Sequence, residues 1–131
     1  MDRVIKFRGK LKINEQWIFG GYLAPNRLGG FYEDDKLWTA EVYPKTVGEF
    51  TGFKDFDDKK IFEGDIVKCD DGLIENIGYI DDYEGCWCVF SLGKPVATLR
   101  WFMHKEKVTV IGNIHVDTEL LEGGKVDDYY G

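Results

Sequence analysis

Residues 66–92, IVKCDDGLIENIGYIDDYEGCWCVFSL, carry the clearest strand-and-turn pattern of the chain. Short, largely apolar runs are cut by Asp70-Asp71-Gly72 and by an acidic group ending at Glu84-Gly85. Asp-Gly supplies the positive φ angles that a tight turn between twisted strands requires. Residues 66–69, 73–80 and 86–92 therefore read as strands, joined by turns at 70–72 and 81–85. A further turn is expected at Gly93-Lys94-Pro95.

Working outward, the same rhythm holds. Glu63-Gly64-Asp65 reads as the turn into the first of these strands, with Asp65 accepting backbone N–H bonds. Residues 52–60 form a charged loop, and residues 47–51 a short strand before it. Residues 17–23 (WIFGGYL) are another strand, bulged at Gly20-Gly21. Pro25-Asn26 and Gly29-Gly30 bracket a loop, and residues 33–36 turn a hairpin between Phe31-Tyr32 and Leu37-Trp38-Thr39. At the start, Val4 and the alternation Ile5-Lys6-Phe7-Arg8 give a strand with one apolar face. Residues 96–104 fit either a strand or a helical turn, residues 108–116 are β-rich, and residues 118–122 suit one helical turn. Short strands with turns every eight to twelve residues predict a mainly β fold with at most one or two short helical turns. No βαβ rhythm is present, which disfavours a Rossmann or P-loop core.

The 131 residues fit one domain or two small subdomains. Aromatic residues make up 15%, enough bulk for a packed core. Seventeen basic against 24 acidic side chains give a net charge of −7, which disfavours charge-driven binding to duplex DNA. Residues 1–60 hold 11 basic and 10 acidic groups (+1), and residues 61–131 hold 6 and 14 (−8). An anionic partner should therefore meet the N-terminal end. No run approaches the roughly 20 apolar residues of a membrane helix. The charged start MDRVIKFRGK has no signal-peptide core, and three cysteines make a poor disulfide framework. These features predict a cytoplasmic protein with no membrane contact.

The candidate chemistry is sparse. Cys69, Cys86, Cys88, His104 and His115 lack zinc-motif spacing, so buried thiols are the better reading. Asp55, Asp57 and Asp58 fail the EF-hand pattern, because the sixth and twelfth places hold Lys60 and Ile66. Asp70-Asp71 and Asp81-Asp82-Glu84 could bind a hard cation if the hairpins converge, though solvated turn tips are the better reading. A further functional reading is an enzyme with a carboxylate–metal site among Asp55, Asp65, Asp70, Asp71 and Asp81. Ser91 lies outside a G-x-S-x-G elbow, and no phosphate loop occurs. The remaining signal is basic. In an extended strand Lys6, Arg8, Lys10 and Lys12 project to one side, and Trp17 nearby could stack on bases. The competing reading is a solvated strand edge whose charges block aggregation.

Three segments carry a family resemblance: IKFRGK at residues 5–10 with Trp17-Ile18-Phe19-Gly20; TVGEFTGFKD at 46–55 leading into KKIFEGDIVK at 59–68; and VIGNIHVDTELLE at 110–122. Together they resemble the YopX family of small phage and prophage proteins. Residues 56–58 lack the Asn-Gly turn of that pattern, and the tail after Glu122 has no counterpart in it. The resemblance implies an SH3-like barrel in the later half, roughly residues 60–116, and implies no cofactor, metal or catalytic residue. The expected organisation is an N-terminal β subdomain (1–59), an SH3-like barrel subdomain (60–122) and a flexible acidic tail (123–131). The expected function is a non-enzymatic interaction or accessory module binding a host or phage protein, with homo-oligomerisation open. The alternative is a nucleic-acid-binding regulator using Lys6, Arg8, Lys10, Lys12 and Trp17.

Overall fold

The computed structural model describes residues 6–121. The tail expected at 123–131 and the strand start at Val4 and Ile5 lie outside the described residues. The described residues are mainly β, with two antiparallel sheets, one α-helix and short 3-10 turns. They fall into two compact units that divide between Phe50 and Thr51.

In the first unit, β1 (Phe7–Lys10), β2 (Trp17–Ala24), β3 (Arg27–Phe31) and β4 (Leu37–Glu41) pair in the order β4-β3-β2-β1. The opening residues of β5 (Gly48–Lys54) add to β1 through Arg8 opposite Gly48. Leu11 bridges Val42. Leu28 and Val42 are fully buried here.

The loop expected at Gly29-Gly30 is instead the middle of β3, with Gly30 opposite Trp38 on β4. Neither glycine takes a positive φ. Their smallness serves packing, because a Cβ on Gly30 would fall 2.9 Å from the Trp38 indole nitrogen. The expected irregularity in β2 also moves: its register with β3 shifts between Tyr22 and Ala24, not at Gly20-Gly21.

The second unit is a meander. β5 leads to β6 (Lys60–Phe62), then β7 (Asp65–Asp70), β8 (Glu75–Tyr83), β9 (Cys86–Ser91) and β10 (Lys94–Thr98). Helix α1 (Leu99–Lys105) follows, and β11 (Lys107–Asn113) returns antiparallel beside β7, giving the order β10-β9-β8-β7-β11. The turn expected at Asp70-Asp71-Gly72 forms but is longer: Asp70 still belongs to β7 and the turn runs through Ile74, with Asp71 Oδ1 accepting the N–H groups of Leu73 and Ile74, each at 2.8 Å.

The next two turns are shorter than expected. Asp81 and Asp82 continue β8, and only Glu84 (φ 51°) and Gly85 (φ 85°) turn. Leu92 (φ 53°) and Gly93 (φ 77°) make the following turn, so Lys94 and Pro95 already belong to β10. Two successive positive φ values are type I′ geometry, whose twist matches the flanking strands. Proline is tolerated in β10 because it is an edge strand. Residues 96–104 turn out to be both alternatives in succession, the end of β10 and then α1. The strand expected at 108–116 stops at Asn113.

Strand alternation sorts the core of this unit into two clusters. Ile61, Val67, Cys69, Ile80, Val89, Leu99, Phe102 and Val108 form one. Ile66, Tyr79, Cys88, Phe90, Ile114 and Leu121 form the other. Burial of each large side chain contributes about 1.5–3 kcal/mol.

Candidate functional site

Helix α1 is short, and its placement sets the surface around it. The Thr98 hydroxyl caps its start by accepting the Trp101 N–H at 3.1 Å, a bond that satisfies a donor with no partner inside the helix. Leu99 and Phe102, three residues apart, are both buried in the first core cluster. Helical spacing then turns Arg100, Trp101 and His104 outward. Trp101 is 47% exposed although it is among the largest apolar side chains in the unit. Its ring meets Phe102 edge-on, with centroids 5.0 Å apart at 89°, a favoured aromatic geometry.

Beside the helix, the Arg100 guanidinium lies 5.6 Å from the centroid of Phe53 on β5. Phe53, Thr98, Arg100, Trp101, Met103 and His104 line one shallow groove of about 550 Å³. Further on, the Lys107 ammonium sits 4.4 Å over the Phe56 ring. The segment 100–107 (RWFMHKEK) is thus locally cationic in the acidic half of the chain.

The N-terminal basic residues are distributed differently. Arg8 is only 8% exposed, with its guanidinium 4.8 Å from the Trp17 ring centroid. Lys10 lies opposite Trp17 in the β1–β2 register, its ammonium 5.9 Å from the same ring. Arg8, Lys10 and Trp17 are therefore brought together as cation–π neighbours. Lys12 lies in the turn after β1 and pairs with Glu41 at 3.6 Å. Lys6 precedes β1 and is exposed.

The candidate metal ligands are placed by local folding. Cys69 and Cys88 belong to different core clusters, while Cys86 is exposed. Burial, followed by the charge of Glu106, pushes the Cys69 thiol up to about 12. Asp55 is buried, and its two oxygens accept the N–H groups of Asp57, Lys59 and Val110 at 2.8–2.9 Å. Asp65 accepts the Phe62 N–H at 2.8 Å, Asp70 that of Gly72 at 2.7 Å and Asp81 that of Asp82 at 2.8 Å. Asp55, Asp65 and Asp70 thus hold turns, Asp55 also ties its loop to β11, and Asp81 bonds its neighbour within β8. Among the described residues no three His, Cys, Asp or Glu side chains gather where they could hold a metal ion. No helix among them is long and apolar enough to cross a membrane.

Sequence reasoning missed the groove at α1. The usable signal was Trp101, an aromatic that falls off the Leu99–Phe102 stripe and is flanked by Arg100.

Comparison with known proteins gives one family. The model described as YopX protein matches residues 6–122, nearly the whole chain. No curated protein matches it.

Proposed function

The chain belongs to the YopX family, and from that premise we propose that it works as a non-enzymatic interaction module. Its setting would be the cytoplasm of a bacterial host, and its partner a host or phage protein. The observation that carries this reading is the groove at α1. Tryptophan and arginine dominate the energetically decisive residues of protein interfaces. Here Trp101 and Arg100 stand exposed around an apolar floor of Phe53 and Met103.

The engagement of Asp55, Asp65, Asp70 and Asp81 with backbone donors supports the non-enzymatic part of the proposal. The groove is favoured over the N-terminal basic residues because Arg8 is buried against Trp17 and Lys12 is paired with Glu41. That arrangement leaves fewer cations to meet a phosphate backbone than a regulator of nucleic acid would use.

The test is affinity capture from a nuclease-treated host lysate with tagged wild type, Trp101→Asp and Arg100→Glu. A stoichiometric protein partner is expected on wild type and absent from both variants, while all three melt at the same temperature. A partner retained equally by the variants would remove the groove from the proposal. Recovery of nucleic acid from untreated lysate, with no protein partner after nuclease, would favour the regulator reading.

A further inference from the structure

We propose that the α1 groove takes an acidic peptide segment carrying one large apolar anchor. The inference rests on the interaction-module reading and names the chemistry of the partner.

The first argument is charge. Residues 61–131 carry 6 basic and 14 acidic side chains, yet Arg100, Lys105 and Lys107 fall within eight residues, opposed there by Glu106 alone. Arg100 and His104 line the groove itself. At physiological salt, fields between exposed charges fade within about 8 Å. A docking segment therefore feels the Arg100 guanidinium at the groove more than the net charge of the whole chain.

The second argument is the floor. Phe53, Trp101 and Met103 give an aromatic and thioether lining in which one large apolar side chain gains dispersion contacts. A volume of about 550 Å³ suits such an anchor together with its neighbours in sequence. The third argument is the placement of Arg100 against Phe53. A guanidinium held near a ring by cation–π attraction still has donors for a carboxylate, which it grips in a two-pronged pair that lysine cannot form.

The chain's own C-terminal segment, Val126-Asp127-Asp128-Tyr129-Tyr130, has similar chemistry. The experiment must therefore separate a partner from the chain's own tail. A displayed library of random 12-residue peptides is panned on the full-length protein. Affinities of the enriched peptides are then measured by fluorescence anisotropy against four variants: Trp101→Ala, Arg100→Glu, Phe31→Ser as a surface control, and the double substitution Tyr129→Ala with Tyr130→Ala.

Enrichment of Asp/Glu-rich peptides with a central Trp, Phe or Leu is expected. Binding should weaken tenfold or more in Trp101→Ala and Arg100→Glu, and stay unchanged in the other two variants. Enriched peptides without acidic residues, but still sensitive to Trp101→Ala, would overturn the acidic class and leave the groove standing. Peptides insensitive to Trp101→Ala, or no enrichment at all, would overturn the groove itself. Tighter binding in the tyrosine double variant would assign the groove to the chain's own tail. Displacement of the peptides by oligothymidylate would make it a nucleic-acid site instead.

Discussion

At the residue scale, the structure separates groups that look alike in the sequence. Cys69 and Cys88 are buried and Cys86 is exposed; burial raises the thiol pKa of both inner cysteines. Since the thiolate is the reactive form, iodoacetamide at pH 8 is expected to modify Cys86 alone in the native protein. Cys69 and Cys88 should react only after denaturation, as peptide mass spectrometry would show. Glu106 gives a pH-dependent counterpart. Desolvation first, then the charges of Asp71 and Asp70, raises its carboxyl above the ordinary value. A folded-state pKa above the unfolded one means that the native state binds the proton more tightly, so stability falls as pH rises between the two values. Glu106→Gln should therefore melt above wild type at pH 7 and alongside it below about pH 4, near the ordinary glutamate value. A constant offset at both pH values would show that the charge is not the cause. The buried-thiol reading of the sequence holds for Cys69 and Cys88 and fails at Cys86, which is exposed; the surroundings of Glu106 were not legible. Alternation along residues 86–88 shows that two cysteines share a face, but not which neighbours cover each of them.

At the scale of elements, legibility followed the turn chemistry. Asp70-Asp71-Gly72 was readable because the aspartate side chain and the glycine φ act within three residues. Asp81-Asp82 misled because an acidic pair resembles a solvated turn, whereas the bend belongs to the two residues that take positive φ, Glu84 and Gly85. Gly29-Gly30 misled for the opposite reason. Its glycines answer to Trp38 on the next strand, a contact that no local pattern announces. Gly30→Ala is accordingly expected to cost about 1–3 kcal/mol through overpacking. Urea denaturation should show that loss and its partial recovery when Trp38→Leu is added. In α1, Thr98→Ala removes the cap and should cost about 0.5–2 kcal/mol. The loss should appear in the same urea assay.

At the scale of the whole molecule, the mainly β class was readable from the period-two alternation, and family membership from three separated segments. The candidate groove was not, because Phe53 on β5 and Arg100 on α1 meet only in the folded unit. The charge balance makes its own prediction. With −7 overall and Arg8 and Lys12 engaged within the protein, few counterions would be released on contact with duplex DNA. No retention of a 30-base-pair duplex is expected at 150 mM salt in a mobility-shift assay. A shift that weakens steeply as salt rises would contradict that balance.

The return of β11 to β7 also sets a timetable for synthesis. β7 ends at Asp70 and its partner ends at Asn113, 43 residues later. At the roughly 5–20 residues per second of a ribosome, the outer edge of β7 waits about 2–9 s for the strand that seals it. Through that interval the edge of β7 that carries Ile66, Val67 and Cys69 lacks the strand that completes its backbone hydrogen bonds.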